Sequence, residues 1–152
     1  MRTPVLAVAA ALAAGLAAFI APGHAGAGER LPPAADPLVR KECGDCHMAF
    51  PPQMLPRRSW VALMNGLDDH FGEKATLPAA TRQAIVDYLA GNAGDVTRTR
   101  EGGKFMTSIP GDRNPLRITE TGRFLRKHNA REVPPDAWQR KSIGSKANCP
   151  AC

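Results

Sequence analysis

Cys43-Gly44-Asp45-Cys46-His47 decides how this chain is read. C-x-x-C-H is the attachment signature of c-type haem. Cysteines three apart meet the two vinyl groups of one porphyrin as thioethers, and the His that follows points an imidazole nitrogen at the iron from the same helical face. With 4 His in 152 residues, a His follows a given C-x-x-C by chance about once in forty. The competing reading, a thioredoxin-like redox pair, needs a βαβ context, and no β-strand is signalled anywhere.

Working outward, Asp36 before Pro37 is a helix start, with Asp as cap and Pro at the first position, where no amide is lost. A helix over about 37–48 then carries the motif. Phe50-Pro51-Pro52 to Pro56 reads as a stiff loop. Ser59 opens a second helical pattern in which Trp60, Leu63, Met64 and Leu67 share a face, and His70 extends that face before Gly72 stops it. A third helix is predicted from Pro78 to Ala90, with Ile85, Val86 and Leu89 inward. From Gly91 to about Pro115 the periodicity dissolves into Gly, Thr, Pro and basic residues, which predicts a linker or long loop. A short helix from Thr121 to about Asn129 would set Phe124, Leu125 and His128 against one surface.

The first 27 residues differ from all others. Arg2 gives a positive start, Val5 to Ala21 is an apolar run, and Ala25-Gly26-Ala27 is a small-residue cleavage site, which predicts an export signal peptide over 1–27. A retained membrane anchor is the competing reading, but the run is rich in Ala and Gly and ends at Pro22. Cleavage after Ala27 leaves 152 − 27 = 125 residues and removes only Arg2 from the charged set, so the formal charge falls from +6 to +5. The composition, 43% hydrophobic and 22% charged, excludes a disordered or collagen-like chain. In an oxidising compartment, thiols pair, bind a cofactor or do redox work.

The other two cysteines close the sequence, Asn148-Cys149-Pro150-Ala151-Cys152. They repeat the C-x-x-C spacing without a His, and taken alone they read equally as a disulfide or two thiols. A four-cysteine zinc ribbon fits poorly, because its halves stand about 15–20 residues apart. His24 leaves with the leader and His47 belongs to the first motif, so His70 and His128 remain. Each lies on an apolar helix face, one in each half of the chain, the pattern of one distal ligand per haem. Met106 competes for the first iron, since Met/His ligation is common in cytochromes c.

These segments together resemble the periplasmic dihaem cytochrome c family of Gram-negative bacteria. The resemblance covers about residues 36–152 and rests on CGDCHMAFPP (43–52), LPRRSW (55–60), LDDHFG (67–72), RITET (117–121), Lys127-His128 and NCPAC (148–152). It implies two covalent haem c groups, each between two histidines. Cys43 and Cys46 would attach the first, with His47 proximal and His70 distal; Cys149 and Cys152 would attach the second, with His128 distal. The family pattern continues past the second C-x-x-C with a His and a short tail, so the second site here lacks its proximal His. A sequence cut short at Cys152 is the expectation, and a degenerate second site the alternative. The expected fold is mainly α: a small cytochrome c-like helical haem domain over 28–93, a linker over 94–115, and a loop-rich second haem-binding region over 116–152.

An iron held by two imidazoles has no position open for oxygen, peroxide or substrate. The expected function is therefore periplasmic electron transfer at low potential, since an axial Met would raise the potential, and no residue is assigned as catalytic. The alternative is a haem enzyme or ligand sensor, peroxidase-like or oxygen-binding, with one displaceable ligand. The sequence pI near 9.6 permits many partners. Export and haem attachment explain the chain without nucleic acid. The resemblance implies periplasmic or membrane-bound redox partners, such as a small oxygen-binding monohaem cytochrome c, and small size implies a monomer.

Overall fold

Asp36 does what its place before Pro37 predicts: its carboxylate accepts from the amides of Leu38 at 2.8 Å and Val39 at 3.0 Å, and α1 (Pro37–Gly44) follows. The computed structural model describes residues 31–151, so the leader predicted over 1–27 and Cys152 lie outside the described residues. The helix α1 is shorter than predicted and ends before Cys46 and His47, which lie in the turn beyond it.

A 3₁₀ turn at Pro52–Met54 leads into α2 (Arg57–Asn65). Trp60 and Met64 are buried on its inner face, and the Trp60 indole donates to the Pro52 carbonyl at 2.7 Å, so the stiff loop is tied to the helix that follows it. His70 does not extend the face of α2 as its spacing predicts. The helix stops at Gly66, a 3₁₀ turn spans Leu67–Asp69, and His70 stands beyond it in an isolated bridge with Glu73. Helix α3 (Ala79–Gly91) packs on α2 through Ile85 and Leu89, as its periodicity predicts, with Val86 half-buried.

The stretch 94–115 is not loop throughout. Thr99 caps α4 (Arg100–Met106), whose Phe105 enters the core, while Gly102 and Gly103, the residues that obscured the pattern, lie inside the helix. Gly102 is where α4 meets the 3₁₀ turn: a Cβ there would stand 2.7 Å from the Thr99 hydroxyl and 3.0 Å from Gln53 Cβ. Helix α5 (Gly122–Lys127) is capped by Thr121. One core gathers Val39, Leu55, Trp60, Ile85 and Leu89 from before 94–115, Phe105 from within it and Ile118 from beyond it. The described residues hold helices and turns without a strand, which is the mainly α fold expected.

Polar contacts also cross between the halves. Glu101 on α4 accepts from Arg123 on α5 at 3.2 Å and from Lys104, and the Arg123 amide donates to the Ser108 hydroxyl at 2.9 Å. Arg58 donates to the Arg113 carbonyl at 2.8 Å, and Ser59 donates to Asn114 at 2.9 Å. Beyond α5 the described residues form 3₁₀ turns at Pro135–Gln139 and Cys149–Ala151.

Candidate haem-binding sites

Cys43 is in the last turn of α1, half-buried, and Cys46 is exposed in the turn that follows; no disulfide joins them. Burial pushes the Cys43 thiol above its ordinary value, with the Glu42 carboxylate adding to the shift. A redox-active C-x-x-C depends on a lowered thiol pKa, so the shift runs against a thioredoxin-like pair. Two thiols kept apart by one turn are the groups that thioether attachment requires.

His47 follows with its ring fixed from two directions. Its Nδ1 lies 2.7 Å from the Met48 carbonyl, which can only accept, so Nδ1 carries the proton and Nε2 the lone pair. Phe50 stacks on the imidazole with centroids 4.7 Å apart. His70 comes to the same place from the other side of α2. The two imidazoles have centroids 6.3 Å apart and planes 27° apart. Two imidazoles bound on opposite sides of one metal, each through a nitrogen about 2 Å from it, have nitrogens about 4 Å apart and ring centres about 6 Å apart. The separation of His47 and His70 therefore fits two histidines that would hold one iron between them. A metal site built from protein alone takes three or four ligands, and among the described residues no three His, Cys, Asp or Glu side chains gather to form one.

Burial, reinforced by the neighbouring His47 and by the charge of Arg117, holds His70 below the usual imidazole range, which keeps its lone pair available. Met106 is placed elsewhere. Its thioether packs beside Gly94, where an added Cβ would stand 3.0 Å from the sulfur, and its side chain joins the core.

The second cluster is built around His128, at the end of α5. Its Nδ1 donates to the Phe124 carbonyl at 3.0 Å, again leaving Nε2 as the lone-pair nitrogen, and its ring stacks on Phe124 with centroids 4.0 Å apart. Trp138 approaches the same imidazole at 5.9 Å. Cys149 is exposed at the start of the last 3₁₀ turn. Each of the three histidines thus has a phenylalanine against its ring: Phe50 on His47, Phe71 on His70 and Phe124 on His128. The sequence sets Phe124 with His128 on one surface, as found, although Leu125, expected there too, is exposed; it does not assign Phe50 or Phe71, for which the offset of Phe50 from His47 is the available signal.

Residues 39–152 match the family described as dihaem cytochrome c. The chain belongs to the dihaem cytochrome c family. Haem c is accordingly its cofactor, as the C-x-x-C-H motif indicates. Among solved structures, it is similar to a diheme cytochrome c from Rhodobacter sphaeroides at 45% identity, with a TM-score of 0.70 and coverage of 78% of this chain and 90% of the other. A second structure of such a protein purified from the same organism matches at 44% identity, TM-score 0.63, covering 80% of this chain and 92% of that one. A diheme cytochrome c from Shewanella baltica is more distant, at 30% identity and TM-score 0.57, covering 74% of this chain and 76% of that one. No curated protein matches the chain.

Proposed function

We propose that this cytochrome is a periplasmic electron carrier whose first haem is held between His47 and His70. The approach of these two imidazoles, centroids 6.3 Å apart and planes 27° apart, carries the reading. Haem supplies a reversible one-electron change at iron. The chain's own residues decide how that change is used. Cys43 and Cys46 anchor the group covalently, and the Nδ1 tether to Met48 fixes the orientation of His47. With imidazoles from both His47 and His70 holding the iron, no position would remain for a substrate, and ligands held on tethered loops would limit the geometric change between oxidation states. Electron transfer without catalysis follows, and no residue is assigned a catalytic role.

The second haem is assigned to Cys149 and Cys152, with His128 as its distal ligand. Imidazole in place of Met as the sixth ligand keeps the potentials low. The partners are periplasmic or membrane-bound redox proteins, of which a small oxygen-binding monohaem cytochrome c is one kind, and the carrier acts as a monomer. The exported holoprotein, expressed from its full gene, tests this reading. A sharp c-type α band on reduction and no rapid reaction with carbon monoxide are expected. A fast carbon monoxide complex in the native protein would favour the alternative, a haem enzyme or sensor with a displaceable ligand.

A further inference from the structure

His70 is held by an unusual turn. Its amide donates to the Glu73 carbonyl at 2.7 Å and its carbonyl accepts from the Glu73 amide at 3.3 Å, so Phe71 and Gly72 are the two central residues of a two-residue hairpin loop. Both have positive φ, 60° at Phe71 and 99° at Gly72. Such loops ordinarily take Asn-Gly or Asp-Gly, because a bulky side chain is disfavoured in the left-handed region. Phe71 is the only non-glycine residue with positive φ among the described residues, and it is 41% exposed, so core burial does not account for it.

Its neighbours do. The Phe71 ring meets the His70 imidazole at 4.7 Å, tilted by 52°. Over the same ring lies the Arg117 guanidinium, 3.8 Å from the centroid, brought in from the other half of the chain. An aromatic ring at this strained position is what lets a cation from residues beyond α4 reach the loop of the distal histidine. Glu120 stands 3.7 Å from Arg117 Nε and offsets part of the charge. The site is solvent-accessible, so screening moderates the field without removing the stack.

We propose that Phe71 and Arg117 form a positioning clamp on His70: Phe71 orients the imidazole, and Arg117 both secures Phe71 and biases the first haem towards its reduced state. The proposal rests on His70 being the distal ligand. A cation near the site disfavours the additional positive charge of ferric iron, which raises the potential. The clamp also joins the haem 1 ligand to the 117–120 segment, which leads into α5 and His128.

The test uses full-length holoprotein carrying Arg117→Gln, Arg117→Lys, Glu120→Gln or Phe71→Asn. Potentiometric titration gives the potential of each haem, and low-spin ferric EPR reports the angle between the axial imidazole planes. Arg117→Gln should lower the haem 1 potential by about threefold to tenfold in the reduction equilibrium, tenfold being about 59 mV for one electron. Arg117→Lys should restore most of that shift, and Glu120→Gln should shift the potential upward. Phe71→Asn suits the turn better, so it should leave the melting temperature unchanged or higher while changing the haem 1 EPR signal. A merely structural Phe71 would lower the melting temperature and leave the signal alone. Wild-type potentials and g values in both Arg117→Gln and Phe71→Asn would overturn the clamp. His70→Ala separates this result from failure of the ligand assignment: if haem 1 stays six-coordinate in that variant, the distal-histidine reading fails; if it opens, only the clamp is at stake.

Discussion

The Glu101 carboxylate on α4 accepts a hydrogen bond from Arg123 on α5 at 3.2 Å, and a second from Lys104 within its own helix. Glu101 is buried, so its charge depends on these partners. The Lys104 hydrogen bond holds the carboxyl below the usual range; burial opposes the shift, and the charges of Lys104 and Arg123 reinforce it. A carboxyl with a lower pKa in the folded than in the unfolded state adds stability that is fully present above about pH 4.3 and is lost as pH falls through the folded value. Glu101→Gln should cost about 1–3 kcal/mol at neutral pH. Thermal melts against pH check this: wild type and variant should converge in acid, and a constant gap down to pH 3 would contradict it.

Gly94 and Gly103 should respond oppositely to alanine. A Cβ at Gly94 would stand 2.4 Å from the Gln53 carbonyl oxygen, a backbone atom that cannot swing aside, and 2.7 Å from Met106 Cε. Gly94→Ala should cost about 1–3 kcal/mol, as overpacking does. At Gly103, inside α4, nothing lies within 4 Å of the added carbon, and alanine should gain about 0.5–1 kcal/mol of helix stability. Denaturant midpoints of the two variants measure the contrast.

Asp36 holds the first turn of the helix that carries Cys43. Asp36→Ala should lower stability by about 1 kcal/mol, the usual worth of such a cap. His47 and His70 lie outside the capped turn, so the low-spin spectrum should persist while the denaturant midpoint falls.

His128→Ala removes the imidazole stacked on Phe124. It should convert one haem of the two to a carbon monoxide-binding form and leave the other low-spin. Titration with carbon monoxide, followed optically, counts the opened haems, and zero would contradict the assignment of His128.

The parts of the fold that were legible in the sequence are those written in local chemistry. Asp36-Pro37 announced α1, and the spacing of Ile85 and Leu89 announced the buried face of α3. What was hidden depended on distant partners. Gly102 and Gly103 look like breakers, yet Gly102 is where α4 packs against Gln53, so glycine there serves contact rather than disorder. Periodicity alone extends the α2 face to His70, because it carries no mark for the 3₁₀ turn at Leu67–Asp69 that redirects the chain. His47 likewise sits past the end of α1, where Met48 and Phe50 orient it. The Phe71–Arg117 contact joins residues far apart in sequence and has no local signal at all.

Low-spin ferric EPR of the full-length holoprotein, wild type against His70→Ala, tests the central claim most directly. Two imidazoles with centroids 6.3 Å apart predict a low-spin bis-imidazole signal from the first haem in the wild type and its replacement by a high-spin signal in the variant. An unchanged low-spin signal at that haem in His70→Ala would contradict the account and return Met106 or another residue as the distal ligand.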